Sequence, residues 1–448
     1  MSTSSNGGLV QRLSAEVRPP WMTRDVQLLM SARIFMSAAR ALAGILVPIY
    51  LAQNGYSATT LGYLFAAVAL ASAAMTTSTG VFSGRYGRKI FIICVPMLAA
   101  IAAVAFALST AILIIFVFAA LGSFGRGGGA GGGNIGPYQP VEQALLADST
   151  PNSNRNSVFA RLAFASSMGA LIGSQLARIP DLGPSFGLSG NDAYRPAFIL
   201  IAVLATIAGL LAVPVQDHTH EATKVKGKSA PLLTLPRRSW PVLSRLWLVN
   251  GLNGISMGFL GPFLTYWFFT RYGAGPGTIG LLYSIVNIAA MGSNLSAAAI
   301  AERLGLVNAV TFGRGLQAIL LVVMVLMPSF WLAGFVYTIR MVSQRLAMPL
   351  RQSYVMAVTD PSERASVAAL SNMPAQVTSV GGPPVAGYLF EHAPLFVPFQ
   401  VAAVVQILSS GAFYAFFRNI RPPEERVRLV EDVTPEALPE ETNEALSS

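Results

Sequence analysis

The chain has 448 residues, of which 53% are hydrophobic and 11% charged, with a formal net charge of +10. A soluble globular domain carries about 25% charged residues, so an ordinary water-soluble protein of this length is excluded. The basic excess does not mark a nucleic-acid binder, because the Lys and Arg residues are spread between apolar runs instead of clustering in one patch.

Residues 1–25 are polar, with Pro19-Pro20, and lack the basic-then-apolar pattern of a cleaved signal peptide. A hydrocarbon core of about 30 Å takes roughly 20 helical residues. Twelve such spans follow, at 26–52, 58–80, 90–109, 111–147, 156–178, 195–214, 244–269, 277–300, 306–327, 330–357, 365–389 and 395–417. The expected fold class is an all-α polytopic membrane protein. Helices keep every lipid-exposed backbone group paired within its own segment, and the alternating ten-residue strands of a barrel are absent. The fourth span is long and Gly-rich, which predicts a kink or a break. Cys94, in the third span, is the only cysteine. It can form no intramolecular disulfide and no Cys metal site, and its apolar neighbours predict a small packing residue.

The positive residues set the orientation. Segments 1–25, 81–89, 148–155, 215–245, 301–305, 358–364 and 418–448 hold 19 of the 30 Lys and Arg residues, whereas the opposite connections hold only Arg178, Arg195 and Arg271. Both termini are therefore expected on the cytoplasmic side of a plasma (inner) membrane. The chain divides into an N-terminal segment (1–25), a first six-helix bundle (26–214), a basic cytoplasmic linker (215–243), a second six-helix bundle (244–417) and a Glu/Pro-rich tail (418–448) expected to be disordered.

The two bundles repeat. At an offset of 218 residues, Gly55, Thr60, Gly62, Arg85 and Gly87 fall on Gly273, Thr278, Gly280, Arg303 and Gly305. At an offset of 209, Pro140, Gln143, Arg155, Val158 and Gly173 fall on Pro349, Gln352, Arg364, Val367 and Gly382. Parallel six-helix repeats are a secondary-transporter plan, with the solute near the midplane between halves.

The loop Gly80-Val-Phe-Ser-Gly84-Arg85-Tyr-Gly87-Arg88-Lys89 resembles the signature loop of the major facilitator superfamily, Gly-x-x-x-Asp-Arg-x-Gly-Arg-Arg/Lys. A weaker second copy is Glu302-Arg303-Leu-Gly305. Arg126 in the fourth span and Gly169 and Gly173 in the fifth resemble further family features more loosely. The acidic position of the signature is Gly84 here. The resemblance implies a twelve-helix fold of two pseudo-symmetric bundles working by alternating access. Arg85, Gly87, Arg88, Glu302, Arg303, Gly305, Asp148, Arg155, Asp360 and Arg364 are then the expected gating contacts. Read as residues alone, the same loops put cations at helix C-termini, where the dipole is negative, and serve equally as positive-inside anchors.

Ionisable residues inside a span cost about 3 kcal/mol or more near the centre and normally face protein or a water-filled cavity. In the family's arrangement helices 1, 4, 7 and 10 line the central cavity, which makes Arg33, Arg40, Arg126, Arg340 and Arg351 candidate substrate-binding cations. Arg33 and Arg40 lie seven residues apart and so share a helix face, as do Arg340 and Arg351, eleven apart. Arg345 points elsewhere. Glu142 is the one acidic residue within the spans. It is expected to pair with Arg33 or Arg351 and is the candidate for proton coupling, with a static ion pair as the plain alternative. Asn250, Asn253 and Tyr266, with Asn287 and Asn294, add polar groups that bind solute or simply link helices.

An anionic or acid-bearing solute fits the arginine excess, since guanidinium forks bind carboxylate or phosphate bidentately. The alternatives are an efflux carrier of drug-like or amphipathic solutes with structural arginines, and a non-transporting receptor or scaffold on the same fold. No enzyme is expected: the spans carry no nucleophile–base set, metal-ligand set or cofactor motif. The Gly run after Arg126 lacks the Gly-Lys-Ser/Thr ending of a phosphate loop. Asp217-His218-Thr-His220-Glu221 reads as a solvated linker instead of a metal site. The expected partners are a small solute, a coupling ion (proton favoured) and the lipid bilayer, and no oligomer is required.

Overall fold

A computed structural model describes residues 22–124, 136–150, 154–216, 238–261, 263–293, 306–360, 363, 367 and 370–418. The helices are α1 (Arg24–Gln53), α2 (Ala58–Tyr86), α3 (Lys89–Leu108), α4 (Ile112–Gly122), α5 (Gln139–Asp148), α6 (Arg155–Leu176), α7 (Arg195–Ala212), α8 (Trp240–Leu260), α9 (Phe263–Tyr272), α10 (Pro276–Ser293), α11 (Leu306–Leu326), α12 (Phe330–Val358), α13 (Met373–His392) and α14 (Val397–Phe417). Each of the twelve expected spans contains helix. The fourth is α4 and α5, separated by the Gly-rich stretch, and the seventh is α8 and α9. Among the described residues, seven helical segments are long and apolar enough to cross a membrane by length and composition.

Local chemistry sets the helix ends. Pro occupies the first turn of α5, α7, α8, α13 and α14, where its missing N–H costs nothing. Ser57 and Ser329 cap α2 and α12 by accepting from the N–H of Thr60 (3.2 Å) and Leu332 (3.4 Å). Gly55 and Gly273, matched at offset 218, follow the ends of α1 and α9 with φ of +78° and +64°, a conformation other residues rarely adopt.

In the first half α1 packs on α6 and α7, and α3 on α4 and α7; in the second, α8 packs on α13 and α14, and α11 on α12 and α14. The helix α1 is buried along most of its length, as a central helix must be. The halves meet through α2 on α13 and α6 on α10.

The internal repeat is visible in these crossings. A Cβ on Gly173 would overlap the backbone of Ala38 in α1, and one on its match Gly382 would overlap the backbone of Gly258 in α8. Between the halves, a Cβ on Gly62 would overlap the Pro383 carbonyl, and one on Gly280 the Ser174 carbonyl. Gly62 and Gly280 differ by 218 and Ser174 and Pro383 by 209, so both interfaces are two copies of one backbone contact. Cys94 departs from the packing expectation: it is exposed on the outer face of α3, beside Phe82, Tyr86, Ile90 and Phe91. In lipid that face needs no protein neighbour.

Candidate functional site

The first half holds one buried ionic network. Arg33 of α1, 3% exposed, forms an ion pair with Glu142 of α5, 1% exposed. Its Nε donates to Ser166 Oγ of α6 at 3.0 Å, and Ser166 Oγ also bonds Ser37 Oγ at 3.0 Å. The expected pairing of Glu142 is thus with Arg33. Arg40, two turns on and on the same face, reaches the broken fourth span instead. Its guanidinium donates to the carbonyls of Ser123 (3.1 Å) and Gly122 (3.4 Å) at the end of α4. Those carbonyls are helix-terminal acceptors without intrahelical partners. Gly136 lies against the same guanidinium, where any Cβ would overlap it.

Among the described residues the second half buries no such acid. Arg351 of α12 donates to Asn250 Oδ1 of α8 and to Asn372 Oδ1 at 3.1 Å. Asn250 donates in turn to the Ser371 carbonyl at 2.6 Å. Arg340 lies ten residues into α12, about 15 Å from its start. It is 4% exposed. Its Nε has no hydrogen-bond partner, and no carboxylate pairs with it, among the described residues. Buried Tyr337 stands one turn away, next to Tyr283, whose hydroxyl bonds Thr265 at 2.9 Å.

The remaining candidates divide. Asn253 is half-buried on α8. Tyr266 packs on Phe263 and Phe390 at centroid distances of 6.1 and 5.8 Å, and Phe263 meets Phe65 of the other half at 5.6 Å. Tyr266 therefore stands in an aromatic cluster of the second half that reaches the other half through Phe263. Arg88 forms an ion pair with Asp148, joining the loop after α2 to the end of α5. Gly87 ends α2 with φ +86°. Asp360 faces Arg238 at 3.5 Å. Arg126, Asn294, Glu302, Arg303, Gly305, Arg364 and the Asp217–Glu221 cluster lie outside the described residues, as do the side chains of Arg85 and Arg155.

Sequence reasoning misses Arg314 of α11. It is buried, donates to Ser409 Oγ at 3.3 Å and stands over the Phe413 ring at 5.8 Å. It lies inside an expected span, so the rule that picked out the other arginines covers it too. It also misses Ser37, Ser166 and Asn372, which carry no charge to single them out.

Two repeated helical halves with buried charge between apolar helices follow the plan of a helical membrane transporter. The description "Major Facilitator Superfamily" matches residues 29–339 and 246–447, and the chain belongs to that family. The bacterial homolog of the human lysosomal transporter Spinster, in an inward-facing and occupied conformation, superposes with a TM-score of 0.66 at 13% identity, over 90% of this chain and 98% of that one. The nucleoside transporter NupG gives 0.66 at 14% identity, over 89% and 100% of the two chains. An auto-inhibited POT family peptide transporter gives 0.65 at 12%, over 89% and 98%. At these identities the likeness is one of fold. The uncharacterized membrane protein YJR124C of Saccharomyces cerevisiae is 21% identical over 320 residues, 64% of this chain and 70% of that protein.

Proposed function

We propose that this transporter carries an anionic or acid-bearing solute by alternating access, with both termini cytoplasmic in the plasma (inner) membrane. The observation that carries the reading is Arg340, a buried guanidinium facing no carboxylate among the described residues. A cation held this way is strongly destabilised without a counter-charge, and a solute carboxylate or phosphate supplies one bidentately. Arg33 is already neutralised by Glu142, so the net charge left in the interior is positive.

Glu142 is the proposed proton-exchanging group, because a buried carboxylate bound to one arginine changes its proton affinity when that partner moves. Glu142→Gln is expected to abolish proton-driven transport in proteoliposomes while leaving solute exchange running. Unchanged proton-driven transport would remove that role.

A second reading rests on a specific observation. Arg33, Arg40 and Arg351 all find protein partners, which is what structural arginines in a carrier of amphipathic solutes would do. Thermal-shift screening of purified protein separates the two. The anion reading expects stabilisation by organic or inorganic anions that is lost in Arg340→Gln. Stabilisation by cationic amphiphiles alone overturns it.

A further inference from the structure

The end of the molecule opposite the termini is closed by two contacts of one kind. Thr59, second residue of α2, donates its backbone N–H to Glu391 Oε2 in the last turn of α13, at 3.1 Å. Gly277, second residue of α10, donates its backbone N–H to Asp181 Oδ2 in the short turn after α6, at 2.8 Å. Each bond crosses between the halves. In each, a carboxylate of one half sits on the first turn of a helix of the other, where backbone N–H groups lack intrahelical partners and the dipole favours negative charge.

The two contacts obey the repeat. Thr59 and Gly277 differ by 218, the offset of Gly62 and Gly280. Glu391 and Asp181 differ by 210, one residue from the offset of Gly173 and Gly382. Beneath each contact the backbones touch: Gly387 lies on the Ala58 carbonyl and Gly280 on the Ser174 carbonyl. Among the described residues at the terminus-side end, Arg88–Asp148 joins parts of the first half, Asp25–Gln216 joins its two flanks, and Glu363–Ser239 and Arg238–Asp360 join the second half to the linker.

We infer that Asp181 and Glu391 are paired latches that hold the end opposite the termini shut, and that its opening during the transport cycle requires both to release. They are positioning residues, since neither lies with the buried arginines. Both are exposed, so substituting them leaves the core intact. The inference rests on alternating access and not on the charge of the solute.

The test uses the full chain with Cys94, its only cysteine, changed to Ser. Ser174→Cys then places one thiol in the closed seam, where Ser174 is buried. The rate of its alkylation by a membrane-impermeant maleimide reports opening. Asp181→Asn and Glu391→Gln are each expected to raise the rate about threefold, and together about tenfold, the size of a charge–dipole contact counted once and twice. The charge-keeping pair Asp181→Glu and Glu391→Asp is expected to stay near the parent rate. Two results overturn the inference: a folded, monodisperse double neutral variant that alkylates at the parent rate, or a charge-keeping pair that accelerates alkylation as much as the neutral one. No solute is needed, so failure of the anion reading leaves this test untouched.

Discussion

The two halves share a scaffold and differ in their charges. Glu142 and Arg351 occupy matching repeat positions, so one place holds an acid in the first half and a base in the second. In the first half that acid neutralises Arg33. In the second, Arg351 is met only by the amides of Asn250 and Asn372, and Arg340 by no carboxylate among the described residues. The glycine crossings, which govern how helices approach, are duplicated, while the buried charges are not. On the proposed function, the duplicated scaffold would do the moving and the asymmetric interior the choosing, in keeping with the general rule that function sits in sites carried on a shared fold.

The largest effect is expected where the comparison says a charge is compensated. Glu142→Ala leaves Arg33 buried without its partner and should destabilise the protein by about 3–5 kcal/mol. A thermal melt in detergent reads this as a large drop. Adding Arg33→Met, which removes the orphaned charge, should recover most of it. A double variant as unstable as Glu142→Ala alone would mean that the pair is not the unit holding this region.

Arg340→Met should behave in the opposite way. It removes a buried group whose partners are unmet, so stability should rise by about 1–3 kcal/mol, while anion transport should fall about a hundredfold with loss of a charge-assisted contact of that class. A loss of stability of similar size would show that Arg340 is a structural arginine like Arg40, and the two halves would no longer differ in the way described.

Much of this is legible in the sequence. Seven-residue spacing put Arg33 and Arg40 on one face, and both indeed reach the fourth span, at Glu142 and at the Gly122 and Ser123 carbonyls. Offsets of 218 and 209 marked glycines that turn out to be backbone contacts. Partner choice was less legible, because spacing gives the face of a helix but not what crosses it. Arg351 could not be assigned to Asn250 and Asn372 without knowing how closely α8 and α13 approach, which Gly254 and Gly258 determine through backbone contact. Residue type groups Tyr266 with the polar side chains, and only the ring contacts show it packed in an aromatic cluster with Phe263 and Phe390. The Asp181–Gly277 bond joins residues 96 apart, one in a connection that reads as a plain loop and the other in the first turn of a helix.

The smallest effect concerns the terminus-side rims, where among the described residues an ion pair stands at the end of the fourth span of each half. Arg88–Asp148 has side chains 22% and 61% exposed, and Arg238–Asp360 has 78% and 30%, at 3.5 Å. Exposed pairs contribute only about 0.2–1 kcal/mol, and salt weakens them. A double-mutant cycle to Ala should therefore find coupling near the upper end of that range for Arg88–Asp148, the less exposed cation, and close to zero for Arg238–Asp360. Raising the salt from 0.05 to 0.5 M, about a threefold shortening of the screening length, should erase the first coupling. Coupling in the first rim that survives high salt would mean that Arg88 is held by more than Asp148. The first half would then carry a second protected charge pair, on its rim as well as in its interior, and the asymmetry between halves would extend along the whole transport path.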